Sequence, residues 1–244
     1  MDAATFIETT LVNPETGALF VLTDAEREFL AHAFELTPDG RLRYPELVFS
    51  AIKKSGKTAF AAMLVIYVIV VLGERYAEAY CCANDFEQSQ GRVFTAAARI
   101  VEASPLLSLD ATITANKITF GSTGSTITAI ASDYAGAAGA NPTITVFDEL
   151  WGYTSERAHR LWDEMIPPPT RRIACRLTVT YAGYEGESEL LEARQGGRAD
   201  RPVALPRRRH AHGLAHHADR TVANRRMARA DARAASPQCL PAPD

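Results

Sequence analysis

The chain has 244 residues, 47% of them hydrophobic, and a formal net charge of −3, which suits one large globular domain or one domain with an appendage. Its four cysteines, Cys81, Cys82, Cys175 and Cys239, have neither zinc-site nor redox-pair spacing; the first three lie in strand-like segments, so buried thiols in a reducing cytoplasm are expected of them. The uncharged run 59–72 is too short to cross a bilayer, and the acidic N-terminus lacks the basic region of a signal peptide.

Residues 1–40 are expected to form a helical lead-in. Thr23 is a fitting N-cap, and Glu26 three residues on completes a capping box. Phe29, Leu30, Ala33 and Phe34 then share one apolar face. Pro38-Asp39-Gly40 is a turn.

Leu47-Val48-Phe49 reads as a strand, and the run 59–72 as a core helix. Between them lies Ser50-Ala51-Ile52-Lys53-Lys54-Ser55-Gly56-Lys57-Thr58. Strand, tight turn and helix is the context of a phosphate-binding loop. Gly56 lets the backbone approach a phosphate. Lys57 places a point charge near the β- and γ-phosphates, and Thr58 offers a hydroxyl to Mg²⁺. The first amides of the helix face the anion, with Ser55 and Gly56 leading into them. Ala51 stands where the usual pattern has glycine, so the loop alone also fits an ordinary surface turn.

Gly73-Glu74-Arg75 breaks the pattern, and residues 77–83 read as a second strand. A helix is expected from Asn84-Asp85, with Phe86, Val93, Phe94, Ala97, Ile100 and Val101 on its apolar face and Gln88 and Gln90 in solvent. Ser104-Pro105 ends it. From Leu109 to Ile130 the period changes to two. Three short β-rich runs with turns at Asn116 and at Gly121-Ser122-Thr123-Gly124 predict a hairpin or meander inserted between α/β units. The Gly-rich segment 131–140 is either a connector or a loop that touches a polymeric substrate.

Thr143-Ile144-Thr145-Val146-Phe147 predicts a buried parallel strand. Asp148 and Glu149 follow at its carboxyl end, where ligands of open α/β sheets bind. Asp148 would hold Mg²⁺, and Glu149 would orient or deprotonate a water. Thr154 or Ser155 caps a helix that turns Leu161, Trp162 and Met165 to the core, and Pro167-Pro168-Pro169 stops it. Residues 173–180 form another strand. Thr180 at its end either contacts a γ-phosphate or simply closes the strand. The expected fold class is therefore α/β, a P-loop NTPase with a mainly parallel sheet flanked by helices, a small β-hairpin or meander, and a disordered C-terminal tail.

That tail differs sharply from the rest. Residues 193–244 carry eleven Arg and four Asp with no Phe, Trp or Tyr, a balance of +7, against −10 for residues 1–192. Such composition buries little apolar area and predicts disorder. A basic DNA-binding tail, a His-rich metal site and a frameshifted or truncated frame are the three readings. The abrupt change of composition favours the last.

The motifs together carry a resemblance. The segment 52–58 resembles the basic phosphate loop of the terminase large subunit of tailed bacteriophages or prophages. Gly73-Glu74, Ala77-Glu78-Ala79-Tyr80, Ala83 and Gln88 to Gln90 are similar to that family's second strand and helix. Ser132-Asp133, Gly139, Asn141-Pro142 and Val146-Phe147-Asp148-Glu149-Leu150 follow its acidic-strand region. Thr180-Tyr181-Ala182-Gly183-Tyr184 resembles its coupling motif, with Tyr181 in place of the usual Thr. The resemblance covers about residues 40–192 and implies an ATPase domain over 41–192.

It further implies a Mg-dependent ATPase that drives double-stranded DNA into a procapsid in the cytoplasm of the bacterial host. ATP and Mg²⁺ are the implied cofactors. The implied partners are duplex phage DNA, the terminase small subunit, the portal or procapsid, and further copies of the chain in a ring, with no membrane. Carried over by residue, Ser55, Gly56, Lys57 and Thr58 bind the nucleotide, and Thr58 and Asp148 hold the metal. Glu149 is the catalytic carboxylate, Thr180 couples hydrolysis to movement, and Lys53 takes a charge-stabilising position where the family often has Arg. The acidic cluster of the family's nuclease domain has no counterpart here, so no nuclease activity is expected. The alternatives are a non-catalytic truncated prophage remnant, or another P-loop ATPase or translocase.

Overall fold

A computed structural model describes residues 1–82, 91–130 and 139–180. The expected helix start at Asn84-Asp85, Phe86, Gln88, Gln90, most of the Gly-rich segment, the motif residues after Thr180, Cys239 and the 193–244 tail lie outside the described residues.

The lead-in holds two helices. Helix α1 (Ala3–Thr10) is capped by Asp2, whose carboxylate accepts the Thr5 amide at 3.0 Å and the Thr5 hydroxyl at 2.6 Å. Helix α2 (Asp24–Ala33) starts with the expected capping box. Thr23 Oγ1 accepts the Glu26 amide at 3.3 Å, and the Glu26 carboxylate accepts the Thr23 amide at 2.8 Å. Thr23→Ala removes both the acceptor and the fixed geometry of its partner. It is expected to cost about 1 kcal/mol, read as a lower midpoint in thermal melting. An unchanged midpoint would show that tertiary packing alone holds this end.

Strand β1 (Glu46–Ser50) enters the Gly-Lys-Thr turn, and helix α3 (Lys57–Tyr67) leaves it. The run 59–72 is buried through most of its length, with a π-helical turn, Val68–Leu72, closing it. No helix among the described residues is long and apolar enough to cross a membrane. Strand β2 (Glu78–Cys82) follows, then α4 (Arg92–Ala103) and the short α5 (Pro105–Ser108). Ser104 ends α4 as expected. Its hydroxyl donates to Ile100 O at 2.6 Å and accepts the Val12 amide at 3.0 Å, pinning the N-terminal segment to the helix end.

Strands β3 (Ala111–Ile113), β4 (Lys117–Phe120) and β5 (Ser125–Ile130) form the expected meander. It is built onto the main sheet, because β5 pairs parallel with β2 while β4 and β3 continue antiparallel at the edge. Strand β6 (Ile144–Asp148), helix α6 (Glu156–Glu164) and strand β7 (Cys175–Thr180) complete the described chain. Ser155 is the cap of α6, accepting the Ala158 amide at 3.2 Å.

The strand order is β1-β7-β6-β2-β5-β4-β3. The first five are parallel, so their carboxyl ends share one edge. A sheet with parallel neighbours on both sides needs apolar residues on both faces, and β6 and β7 supply them. Ile144, Val146, Leu177 and Val179 join the larger core with α1 to α4. Phe147 packs in a second cluster with Tyr153, Leu161, Trp162 and Met165, its ring 4.6 Å from that of Trp162. Cys81, Cys82 and Cys175 are buried free thiols. Burial pushes Cys81 and Cys175 up to about 12, which leaves them unreactive at neutral pH.

Candidate functional site

The sheet order decides which motifs meet. β7 lies between β1 and β6, so the Gly-Lys-Thr turn, Thr180 and the Asp148-Glu149 pair end on one edge. Ser50 is in register with Thr180, and Asp148 with Val179. The Ala51 amide donates to Thr180 O at 3.1 Å, and the Glu149 amide to Val179 O at 2.8 Å. The end of β7 thus bridges the two motif-bearing segments through its backbone, with the Thr180 side chain buried.

Gly56 is the N-cap of α3 at φ 86°. A Cβ there meets nothing within 4 Å, so it is the left-handed backbone, not space, that calls for glycine. Lys53 and Ser55 lie exposed on the turn. Lys57 is only 6% exposed. Its ammonium donates to Ile52 O at 3.2 Å and stands 3.7 Å from Glu149 Oε1. Thr58 Oγ1 donates to Asp148 Oδ2 at 3.4 Å, across 90 residues of sequence.

Glu149 has φ 55° and ψ 59°. In a continued strand, successive side chains alternate between faces, and Asp148 and Glu149 would diverge. The left-handed residue breaks that alternation, and its carboxylate comes to Lys57. Such a conformation costs a non-glycine residue about 1–2 kcal/mol and is held by the surrounding structure, here by the hydrogen bond from the Glu149 amide to Val179 O.

Burial pushes the Asp148 carboxyl up to about 6, and the neighbouring Glu149 charge adds to it. Arg92, Lys57 and the Thr58 hydrogen bond pull the other way. Arg92 is the first residue of α4, and the sequence reading missed it. No signal marks it in the sequence, because a helix expected from Asn84-Asp85 puts Arg92 inside the helix, whereas α4 has it as its first residue. Asp148 Oδ1 is buried without a hydrogen-bond partner among the described residues. A buried, unsatisfied carboxylate oxygen beside a hydroxyl is a hard-oxygen donor set that fits Mg²⁺, which takes one or two protein ligands and fills its shell with phosphate and water. Among the described residues no group of three or more His, Cys, Asp or Glu forms an all-protein metal cage.

A mainly parallel sheet with a Gly-Lys-Thr turn after its edge strand and an Asp-Glu pair after a central one is a P-loop NTPase fold. The family model "Terminase large subunit, ATPase domain" matches residues 39–196, and the chain belongs to that family. The large terminase of bacteriophage HK97 is a solved structure of similar fold, with a TM-score of 0.65 and 17% identity over 80% of this chain. The chain spans 41% of that protein's length. Two structures of the large terminase from a thermophilic bacteriophage, the second in complex with ADP, give TM-scores of 0.49 and 0.47 at 12% and 13% identity. Each of these matches covers 66% of this chain and 39% of that one. Among curated proteins none matches.

Proposed function

We propose that residues 41–192, with the 1–40 lead-in packed on them, are the ATP-hydrolysing motor domain of a phage terminase large subunit. The observation that carries this reading is the meeting of Lys57, Thr58, Asp148 and Glu149 at one sheet edge. Ser55, Gly56 and the first amides of α3 cradle the phosphates, since unpaired helix N–H groups and the dipole favour an anion. Lys57 neutralises the β- and γ-phosphates, and Lys53 adds a second cation from the exposed turn. Thr58 and Asp148 are the residues that would hold Mg²⁺. When bound, the ion would neutralise charge on the phosphate groups. Glu149 orients the attacking water and takes its proton. Thr180, at the strand end joined by backbone to both segments, would register loss of the γ-phosphate. A ring of copies around duplex DNA would turn that signal into translocation, with the small subunit and the portal of the procapsid as partners in the host cytoplasm.

The test is steady-state ATP hydrolysis by the chain with Mg²⁺, with and without duplex DNA. Glu149→Gln is expected to slow it about a hundredfold, the range for a lost general base, and DNA is expected to stimulate the wild type. Hydrolysis indifferent to DNA would point to another P-loop ATPase. A folded chain that neither binds nor hydrolyses ATP would leave a non-catalytic remnant.

A further inference from the structure

The ammonium of Lys57 faces the one carboxylate that the reaction needs free. It stands 3.7 Å from Glu149 Oε1, and both side chains are largely withdrawn from solvent, at 5% and 27% exposure. The two are brought together by two left-handed residues, Gly56 at φ 86° before the helix and Glu149 at φ 55° after the strand. The Ile52 carbonyl holds the ammonium from the loop side at 3.2 Å. A lysine held this way is directed across the mouth of the phosphate loop and onto the acidic strand.

We propose that Lys57 and Glu149 form a self-inhibiting ion pair in the nucleotide-free chain, and that entering phosphates compete with Glu149 for the ammonium. The inference rests on the nucleotide reading of this site and adds an order of events to it. Until phosphates draw Lys57 away, the Glu149 carboxylate is turned toward the ammonium through Oε1. Once they do, the carboxylate is released beside the γ-phosphate. Base activation is thereby tied to occupancy, which suppresses activation of water in an empty site. The pairing also lowers affinity, because each phosphate contact to Lys57 replaces one already made.

Two readings on the full 244-residue chain test this. The first needs no nucleotide: competitive acetylation of Lys57 by acetic anhydride, normalised to the exposed Lys117 and located by mass spectrometry. Glu149→Gln is expected to raise Lys57 labelling about 2–5-fold, the upper range for such ion pairs, and unchanged labelling would overturn the pair. The second is Mg²⁺-free ADP binding by calorimetry, where Glu149→Gln is expected to tighten the Kd by a similar factor. Tighter ADP binding without a labelling change would mean only that a repelling charge was removed, and would also overturn the pair. Raised labelling with unchanged ADP affinity would overturn the competition. Raised labelling in a chain that binds no ADP at all would uphold the pair and sink the nucleotide reading instead. Thermal melting of both proteins establishes that the variant is folded in each case.

Discussion

Asp148→Asn is expected to melt at a higher temperature than the wild type at pH 7.5, without nucleotide or Mg²⁺, while hydrolysing ATP about a thousandfold more slowly. The two effects have one cause. Burial and the Glu149 charge push the Asp148 carboxyl up to about 6 from its ordinary 3.8, so at neutral pH the folded chain carries an ionised group in an unfavourable place. A displacement of that size corresponds to about 3 kcal/mol if fully realised, and solvent reaching the site reduces it to about 1–2 kcal/mol. Asparagine keeps the shape and removes the charge. The direction of the pH dependence follows. Because the folded value is raised, the stability contributed by protonating Asp148 is fully present below pH 3.8 and is lost as pH rises through about 6. The advantage of Asp148→Asn is therefore full above about pH 6 and fades toward pH 4. In the proposed reaction the same charge is the metal-side ligand, and an amide oxygen is a poor substitute for it. Melting curves from pH 4 to 8 beside an ATPase assay check both halves. A variant that melts lower at pH 7.5, or keeps its hydrolysis, would show that the buried charge is neither strained nor used.

Arg176→Ala is expected to lower stability by about 3–5 kcal/mol, the cost of breaking a buried, hydrogen-bonded charge pair from one side. Arg176 is 4% exposed within β7. Its guanidinium donates to Glu46 at 3.1 and 2.6 Å and to Trp162 O at 2.6 Å, and it lies 3.7 Å from the Trp162 ring centroid. One side chain thus ties β1, β7 and α6 together, and its loss leaves Glu46 charged and half-buried. For a domain of this size the midpoint should fall by roughly 10 °C. Arg176→Lys should recover only part of this, because an ammonium cannot make the forked contact or stack on the indole as a plane. Adding Glu46→Gln to Arg176→Ala should restore part of the loss. Equal midpoints for Arg176→Ala and the double variant would show that the charge left on Glu46 is not what destabilises the protein.

The stretches legible in the sequence were those whose chemistry is local. Thr23 with Glu26 announces a capping box because both partners lie within one turn. Gly56-Lys57-Thr58 between a strand and an apolar run announces a turn that helix amides close. Alternation over residues 109–130 announces the meander. Helix α1 was harder to read, since eight residues give too little periodicity, and Asp2 as its cap is visible only once Thr5 is seen to donate to it. Arg176 reads as one more residue of a strand, because nothing near it in sequence shows that Glu46 and Trp162 surround it.

What the sequence determined by itself was most of the inventory: the longer strands and helices, and which residues could carry phosphate and metal chemistry. These follow from side-chain periodicity, capping and glycine, all of which act over a few residues. Only the tertiary structure decided which of those residues meet. The placement of β7 between β1 and β6 sets Thr58 beside Asp148. The left-handed turn at Glu149 sends its carboxylate to Lys57, and the start of α4 brings the charge of Arg92 to bear on Asp148. The reason is physical: strand order and the local electric field are set by how two apolar faces are covered at once, a property of the whole packed sheet.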